Sequence, residues 1–296
     1  MQFGQVEHPE KVDFSLPADS KETMEVLKAA TSKEDFKAYV GCAKWNKTDL
    51  KGFYPRGTKD ELTYYATQFN SVEMNATFYK SPTREQVTQW KEKVKGDFKF
   101  FPKIPQTISH YGALNNINEP LTQFCDAVSN FEEHLGMVFL QMRDSFKPKD
   151  FEKVEAFVAK FPKAIPLAIE LRNEEWFTDK AMQEKVFALF KNNQISNVIV
   201  DTAGRRDMLH MKLTSPKAFI RYVGANHQSD YTRLDEWVGR IAKWKKEGLQ
   251  ELYFFVHQNV ELASPLLSAH FIKKLNKAIG TDLKVPTLAT ETPTLF

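Results

Sequence analysis

Short apolar runs and amphipathic stretches alternate along the chain from residue 39 almost to its end. Several runs are rich in Val, Ile and Phe, which is typical of strands that are buried on both faces. They predict eight strands, at residues 39–45, 71–79, 98–105, 136–142, 166–172, 197–202, 218–224 and 251–258. Apolar residues spaced three and four apart predict seven helices, at residues 58–69, 84–95, 120–134, 150–161, 179–192, 234–247 and 263–279.

This alternation predicts an α/β fold, a (β/α)8 barrel of the TIM type that forms a single domain. An open, doubly wound sheet is the alternative, but it usually has fewer strands and a glycine-rich first turn. Here the first strand runs through the segment GCAKW at 41–45, which contains no GxGxxG pattern. We expect a polar leader at 1–37 that packs outside the barrel, the barrel itself at 38–285 and a C-terminal tail at 286–296.

The segment 71–79 is the most informative, because polar and apolar residues alternate within it. In a strand this places Glu73, Asn75 and Thr77 on one face. A carboxylate in a buried sheet needs partners, and catalysis in TIM-type barrels takes place at the carboxyl ends of the strands. The other predicted strand ends supply such partners: Lys103, Gln141, Glu170, Arg172, Asp201, Arg221 and His257.

Three carboxylates facing three cationic side chains can provide a general acid or base beside groups that hold an anion. The predicted catalytic residues are Glu73, Glu170, Asp201 and Lys103. The predicted substrate-binding residues are Asn75, Thr77, Arg172, Arg221, His110, Gln141, Trp45, Trp176 and His257. Structural roles stay open for many of these side chains. Asp201 caps a turn in that interpretation, Glu170 and Arg172 form an internal ion pair, and both tryptophans pack at the rim.

Composition removes several classes of function. The 41 Lys and Arg against 38 Asp and Glu give a net charge of +3, without a concentrated basic tail. Neither a signal peptide nor an apolar run of the roughly 18 residues typical of a membrane span is present. The two cysteines, Cys42 and Cys125, form no CxxC pair and indicate reduced thiols in a cytoplasmic protein. No HxH, HExxH or GxSxG pattern occurs, so we expect neither a tightly bound metal nor a redox cofactor.

A combination of motifs resembles the domain of unknown function 72, or YecE-like, family over about 39–275. The motifs are GCAKW at 41–45, GFYP at 52–55, LTYYATQFNSVEMNATF at 62–78, FKF at 98–100 with Lys103, and ELR at 170–172 followed by Trp176. The resemblance implies a TIM-type barrel and brings no settled activity. It also implies an architecture similar to that of the endonuclease IV group of barrels, which is an analogy of fold alone.

The resemblance assigns His110 to a family histidine that follows the third strand. The chain departs from the family pattern at three places. Asn173 and Val223 stand where the family often has histidines, and His257 with Gln258 stand where it often has paired asparagines. A mechanism that depends on those family residues would not operate here.

Three functions are consistent with these observations. The leading hypothesis is an enzyme that uses acid–base chemistry on a small anionic substrate, phosphorylated or carboxylated, without a cofactor. The alternative is a nucleic-acid-binding or endonuclease IV-like protein, for which the basic residues near the first loop are suggestive: Lys44, Lys47, Lys51 and Arg56. The third is a barrel that binds a metabolite or a partner without catalysis. The sequence predicts neither the substrate nor the oligomeric state.

Overall fold

Parallel strands alternate with helices in the computed structural model, which describes residues 4–30 and 35–287. The strands are β1 Lys37–Cys42, β2 Ser71–Met74, β3 Lys99–Pro102, β4 Val138–Gln141, β5 Leu167–Glu170, β6 Ser196–Thr202, β7 Lys217–Gly224 and β8 Glu251–Gln258. The helices are α1 Lys21–Lys28, α2 Glu61–Ala66, α3 Ala76–Tyr79, α4 Arg84–Lys91, α5 Asn118–Val128, α6 Phe151–Lys160, α7 Glu175–Thr178, α8 Lys180–Asn192, α9 Ser229–Glu247 and α10 Ser264–Ile279.

Six of the strands form one curled parallel sheet in the order β1-β8-β7-β6-β5-β4. In its register Val40 of β1 pairs with Phe254 of β8, and Arg221 of β7 pairs with Phe255 of β8. The remaining two strands, β2 and β3, form a separate parallel pair. The structure therefore has an α/β architecture whose main sheet is a half-barrel.

Side chains join β1 to β2 in place of a regular ladder. The amide of Asn70 accepts a hydrogen bond from the backbone N–H of Val40 at 2.9 Å and donates one to the carbonyl of Ala38 at 2.8 Å. A Cβ atom on Gly41 would lie 2.1 Å from the carbonyl oxygen of Ser71, so only glycine allows this approach. The two strands are held side by side without pairing directly.

At the other edge, β3 meets β4 through two backbone hydrogen bonds. The N–H of Gly136 donates to the carbonyl of Phe100, and the N–H of Ile104 donates to the carbonyl of Phe139, both at 2.9 Å. The pair β2–β3 therefore touches the six-stranded sheet at both of its edges.

The expected strand at 71–79 ends early. Strand β2 stops at Met74, and residues Ala76–Tyr79 form the single helical turn α3. The hydroxyl of Thr77 donates hydrogen bonds to the carbonyls of Met74 at 2.9 Å and Lys103 at 2.7 Å. This contact stabilises the turn at the end of β2, and the alternation of faces inferred from residue 71 onwards is wrong after Asn75.

Aromatic side chains fill the inside of the sheet. The ring of Phe101 lies 4.8 Å from that of Phe255, and the ring of Phe219 lies 5.3 Å from Phe255, measured between centroids. All three side chains are fully buried, together with Val198 and Val200 of β6. This layer joins the β2–β3 pair to the main sheet and forms the floor beneath the polar site.

The described part of the chain before β1 packs against α9. The carboxylate of Asp19 accepts hydrogen bonds from Arg240 at 2.8 Å and from the indole of Trp244 at 2.9 Å, both on α9. Residues 1–3 and 31–34 of the expected leader, and residues 288–296 of the expected tail, lie outside the described residues. Among the helices described, none is long and apolar enough to cross a bilayer.

Candidate functional site

Arg221 is the centre of a buried polar network on the face where the strands reach their carboxyl ends, which we call the mouth. Its guanidinium donates to both carboxylate oxygens of Glu73, from Nε at 2.8 Å and from Nη2 at 2.9 Å. Its Nη1 donates to Oε2 of Glu170 at 2.8 Å. One arginine of β7 thus joins the ends of β2 and β5, which belong to different sheets. Bidentate pairing of this kind fixes geometry as well as charge.

The network continues from Glu170 towards β3. The amide nitrogen of Gln141 lies 2.9 Å from each carboxylate oxygen of Glu170, and Arg172 donates its Nε–H to Oε1 at 2.6 Å. The amide oxygen of Gln141 accepts a hydrogen bond from Nζ of Lys103 at 2.7 Å. Lys103, Gln141, Glu170 and Arg221 therefore form a continuous chain across four strands.

On the side of Glu73, two further residues complete the network. Asn75 donates to Oε1 of Glu73 at 2.8 Å, and Nε2 of His257 lies 3.0 Å from Oε2. The same nitrogen of His257 lies 3.3 Å from Nη2 of Arg221. We call the complete set the mouth network: Glu73, Asn75, Lys103, Gln141, Glu170, Arg172, Arg221 and His257.

Both carboxylates of the network are ionised near neutral pH. Burial opposes ionisation of Glu73, but Arg221 and His257 outweigh it and hold the pKa of the carboxyl well below its usual range. Burial opposes ionisation of Glu170 as well, yet Arg172 and Arg221 lower its pKa to about 2. A general acid must carry a proton at working pH, so neither carboxyl is suited to that role.

The pKa of Lys103 is shifted in favour of the neutral form, unlike the pKa values of the two carboxyls. Burial, followed by the positive charges of Arg221 and Arg172, lowers the pKa of its amine from 10.5 to about 7, although Glu170 and Glu73 act against this change. The side chain is 6% exposed, so it is desolvated but still reaches the mouth. A pKa of about 7 suits the amine of Lys103 to proton transfer near neutral pH.

The comparisons with known proteins can be placed beside this geometry. The family described as "Protein of unknown function DUF72" matches residues 39–291. This chain belongs to the DUF72 family. A curated relative, UPF0759 protein YecE of Escherichia coli K12, is 25% identical over 272 residues, which cover 84% of this chain and 97% of that protein.

Solved structures share the fold of this DUF72 chain. A DUF72 family protein from Enterococcus faecalis V583 has a TM-score of 0.66 at 21% identity, over 81% of this chain and 98% of that one. A second, from Thermotoga maritima MSB8, has a TM-score of 0.64 at 24% identity, over 81% of this chain and 99% of that one. At these identities the likeness concerns the fold alone.

Asp201 lies apart from the mouth network. Its buried carboxylate accepts hydrogen bonds from Arg233 at 2.9 Å and from the indole of Trp237 at 2.7 Å, both on α9, and also from Arg206. Val200 faces the aromatic interior, so its neighbour Asp201 points to the opposite side of β6. The expected convergence of Asp201 with Glu73 and Glu170 is therefore not observed.

Four other expected site residues also lie outside the network. Trp176 is fully buried and donates its indole N–H to the carbonyl of Phe146 at 2.8 Å. Thr77 is buried in the turn after β2, and the ring of Trp45 packs edge-on against Trp90. Each of these three side chains makes packing or backbone contacts.

His110 is the fourth, and it stands close to the network without bonding to it. Its ring lies 4.8 Å from that of Phe78, and burial together with the charge of Lys103 lowers the pKa of His110 to about 4. The ring of Phe78 in turn lies 4.0 Å from Nζ of Lys103. Sequence reasoning missed Phe78, because strand alternation put it on the far face. A prediction that β2 ends before Phe78 would have allowed this ring to lie near Lys103.

A resident metal finds little support in the donor set. Among residues 4–30 and 35–287, no three His, Cys, Asp or Glu side chains converge in a metal-binding arrangement. The carboxylates of the mouth network are already paired with Arg221, which occupies the place that a cation would take.

Proposed function

We propose that this DUF72 protein is an enzyme that performs acid–base chemistry on a small anionic substrate at the mouth of a closed eight-stranded barrel. Closure is supported by the contacts that join β2–β3 to the main sheet at both edges. It is also supported by Arg221, which bridges Glu73 of the smaller sheet and Glu170 of the larger one. A location in the cytoplasm fits the buried, unpaired thiols of Cys42 and Cys125.

The observation that carries the proposal is the charge balance of the mouth network. Two carboxylates, Glu73 and Glu170, are matched by two guanidinium groups, Arg221 and Arg172. Lys103 is the additional cation, and its amine is bonded to the neutral amide of Gln141. The charges of Glu73, Glu170, Arg221 and Arg172 cancel, so protonation of Lys103 adds one positive charge to this part of the network. An anion at the mouth therefore compensates the charge that Lys103 gains with its proton.

The residues take distinct roles in this proposal. Glu73 and Glu170 remain ionised and hold Arg221 and Arg172 in place. Arg172, whose side chain is 16% exposed beside the mouth, attracts the anionic group of the substrate, since guanidinium suits carboxylates and phosphates. Lys103 accepts and returns the proton. This assignment moves the acid–base role from the carboxylates to the lysine.

Phosphate titration provides the test. We expect inorganic phosphate to bind at the mouth and to bind more tightly as the pH falls below about 7 and Lys103 becomes charged. Arg172→Met should weaken binding about 10-fold or more, because a hydrogen bond to a charged group contributes about 1.5–3 kcal/mol. Lys99→Met is the control for loss of one positive charge, since Lys99 lies at the start of β3, at the end away from Lys103, in a separate ion pair with Asp97.

Calorimetric titration and a crystal soaked in sulfate measure these effects. Absence of an anion near Arg172 and Lys103, or equal loss of affinity in both variants, would overturn the proposal. Tight binding of duplex DNA that weakens steeply with salt, without competition from phosphate, would also overturn it and favour the nucleic-acid alternative.

A further inference from the structure

Lys103 is held rigidly at the junction of the two sheets. Its backbone N–H donates to the carbonyl of Met74 at 3.3 Å, and its own carbonyl accepts from the hydroxyl of Thr77 at 2.7 Å. A parallel bridge pairs Lys103 with Phe139 of β4. The backbone at residue 103 is therefore fixed by β2 and β4 together, which gives its side chain a defined direction towards the mouth.

The amine of Lys103 has unusual surroundings. Its Nζ atom contacts the amide oxygen of Gln141 at 2.7 Å and the ring of Phe78, whose centroid is 4.0 Å away. Among the residues that the structure describes, no carboxylate lies within 4.0 Å of it. Lys99 and Lys217, by contrast, form ion pairs with Asp97 and Glu251 at 3.0 and 2.6 Å.

Several titratable and charged groups face this amine, and His110 is one of them, since the charge of Lys103 contributes to the lowered pKa of that histidine. Arg221 and Arg172 disfavour the ammonium form, and Glu170 and Glu73 favour it less strongly, since both are paired with those arginines. Burial adds to the effect of the arginines. A desolvated lysine beside cationic groups is an activated nucleophile for carbonyl compounds.

We propose that Nζ of Lys103 forms an imine with an aldehyde or ketone that carries a carboxylate or phosphate group. This inference rests on the proposed function and names its substrate class. The lone pair of the neutral amine attacks the carbonyl carbon, and the nitrogen passes a proton to the oxygen to give a carbinolamine. The hydroxyl then takes up the second proton of the amine, the carbon–oxygen bond breaks, water leaves, and the product is a carbon–nitrogen double bond. No oxidant or reductant is consumed.

The geometry supplies both ends of such a substrate. Arg172 is anchored two residues beyond the end of β5 through Glu170, and Glu170 is joined to Lys103 through Gln141. The cation for the anionic group and the nucleophile for the carbonyl carbon are thus held in one bonded network. Phe78 covers the amine, and such apolar cover limits access of water to an imine.

Reductive trapping of the intact protein tests the inference. Glyoxylate, an aldehyde with a carboxylate, is added near pH 7 with sodium cyanoborohydride, and peptide mass spectrometry follows carboxymethylation of each lysine. About half of Lys103 is neutral at this pH, against fewer than about one in a thousand for an ordinary lysine. We expect Lys103 to be modified at least about 10-fold faster than Lys99. Arg172→Met, or added phosphate, should slow modification at Lys103 alone.

The outcomes separate this inference from the proposed function. Modification of Lys103 no faster than that of Lys99 overturns imine formation. If phosphate still binds at the mouth in that case, acid–base chemistry on an anion stands and only the covalent step fails. If phosphate binding is absent too, both proposals fail. Fast modification of Lys103 that is insensitive to phosphate and to Arg172→Met overturns the anionic substrate class.

Discussion

Two buried charged clusters lie on opposite sides of the same sheet, and they are built differently. The mouth network places Lys103 against an amide and an aromatic ring, and no carboxylate among residues 4–30 and 35–287 forms an ion pair with it. The second, which we call the outer cluster, lies between β6 and α9 and comprises Asp201, Arg206, Asp230, Arg233 and Trp237. Both clusters bury arginine beside carboxylate, so burial of charge alone does not distinguish a candidate site from a structural one.

The difference lies in the partners of the buried cations: Arg206 and Arg233 each pair with the carboxylate of Asp201, whereas the amine of Lys103 is bonded to an amide. In the outer cluster, both oxygens of Asp201 accept hydrogen bonds, and the arginines continue to the chain that precedes β1. Arg206 donates to the carbonyls of Phe14 and Ser15 at 3.0 and 2.9 Å, and the ring of Phe14 lies 4.4 Å from the guanidinium carbon of Arg233. The outer cluster therefore joins the chain that precedes β1 to α9. In the mouth network, by contrast, the amine of Lys103 is bonded to a neutral amide and lies against the ring of Phe78.

Arg221→Met should cause the largest loss in the free energy of unfolding. It leaves Glu73 and Glu170 buried without their shared arginine, and breaking a buried pair in this way costs about 3–5 kcal/mol. Arg233→Met is the matched variant in the outer cluster. It should cost less, because Arg233 donates one hydrogen bond to the carboxylate of each of Asp201 and Asp230, whereas Arg221 donates three to Glu73 and Glu170.

Chemical denaturation at pH 7 measures both free energies of unfolding. A larger loss for Arg233→Met than for Arg221→Met would show that the outer cluster, not the mouth network, depends on a single arginine.

Period-two counting along the strands predicts much of the mouth network. Glu73, Glu170 and Arg221 come from β2, β5 and β7, and the structure brings them within hydrogen-bonding distance. The reason is general, since parallel strands bring their carboxyl ends to one face. Gln141 and Lys103, at the ends of β4 and β3, follow the same rule.

Asp201 and Phe78 depart from the prediction of period-two counting, and each departure has a local cause. Strand β6 is apolar on both faces, so its sequence does not reveal which side of the sheet Asp201 takes. Only the packing of Val198 and Val200 against the interior decides it. At the end of β2 the chain turns at Asn75, and this turn brings Phe78 over Lys103. In both places tertiary contacts determine where the side chain lies, and a periodic sequence pattern does not contain those contacts.

The pH dependence of stability gives a second, intermediate test. The pKa of Lys103 is about 7 in the folded chain and near 10.5 when it unfolds. Between these values the unfolded chain binds the proton and the folded chain does not, so the contribution of Lys103 to stability rises with pH. Lys103→Met removes this contribution. Its free energy of unfolding relative to wild type should therefore be most favourable near pH 7 and fall towards pH 10.

The slope of that difference is at most about 1.4 kcal/mol per pH unit for one proton. Denaturant titrations at pH 7, 8.5 and 10 would measure it. Lys99→Met, which removes an amine paired with Asp97 near the surface, should show no comparable slope. A difference that stays constant with pH would mean that the amine of Lys103 keeps its proton in the folded state.

Phe14→Leu should have the smallest effect, and it sharpens the contrast between the clusters. The substitution removes an aromatic ring from the guanidinium groups of Arg233 and Arg206, at 4.4 and 5.6 Å, and keeps most of the apolar volume. Loss of these contacts should lower the free energy of unfolding by about 1 kcal/mol. Phosphate affinity should stay unchanged, because the ring packs against Arg206 and Arg233 of the outer cluster. A weaker phosphate affinity in this variant, measured by calorimetry, would mean that the two clusters are coupled through β6. The outer cluster would then not be purely structural and separate from the binding site.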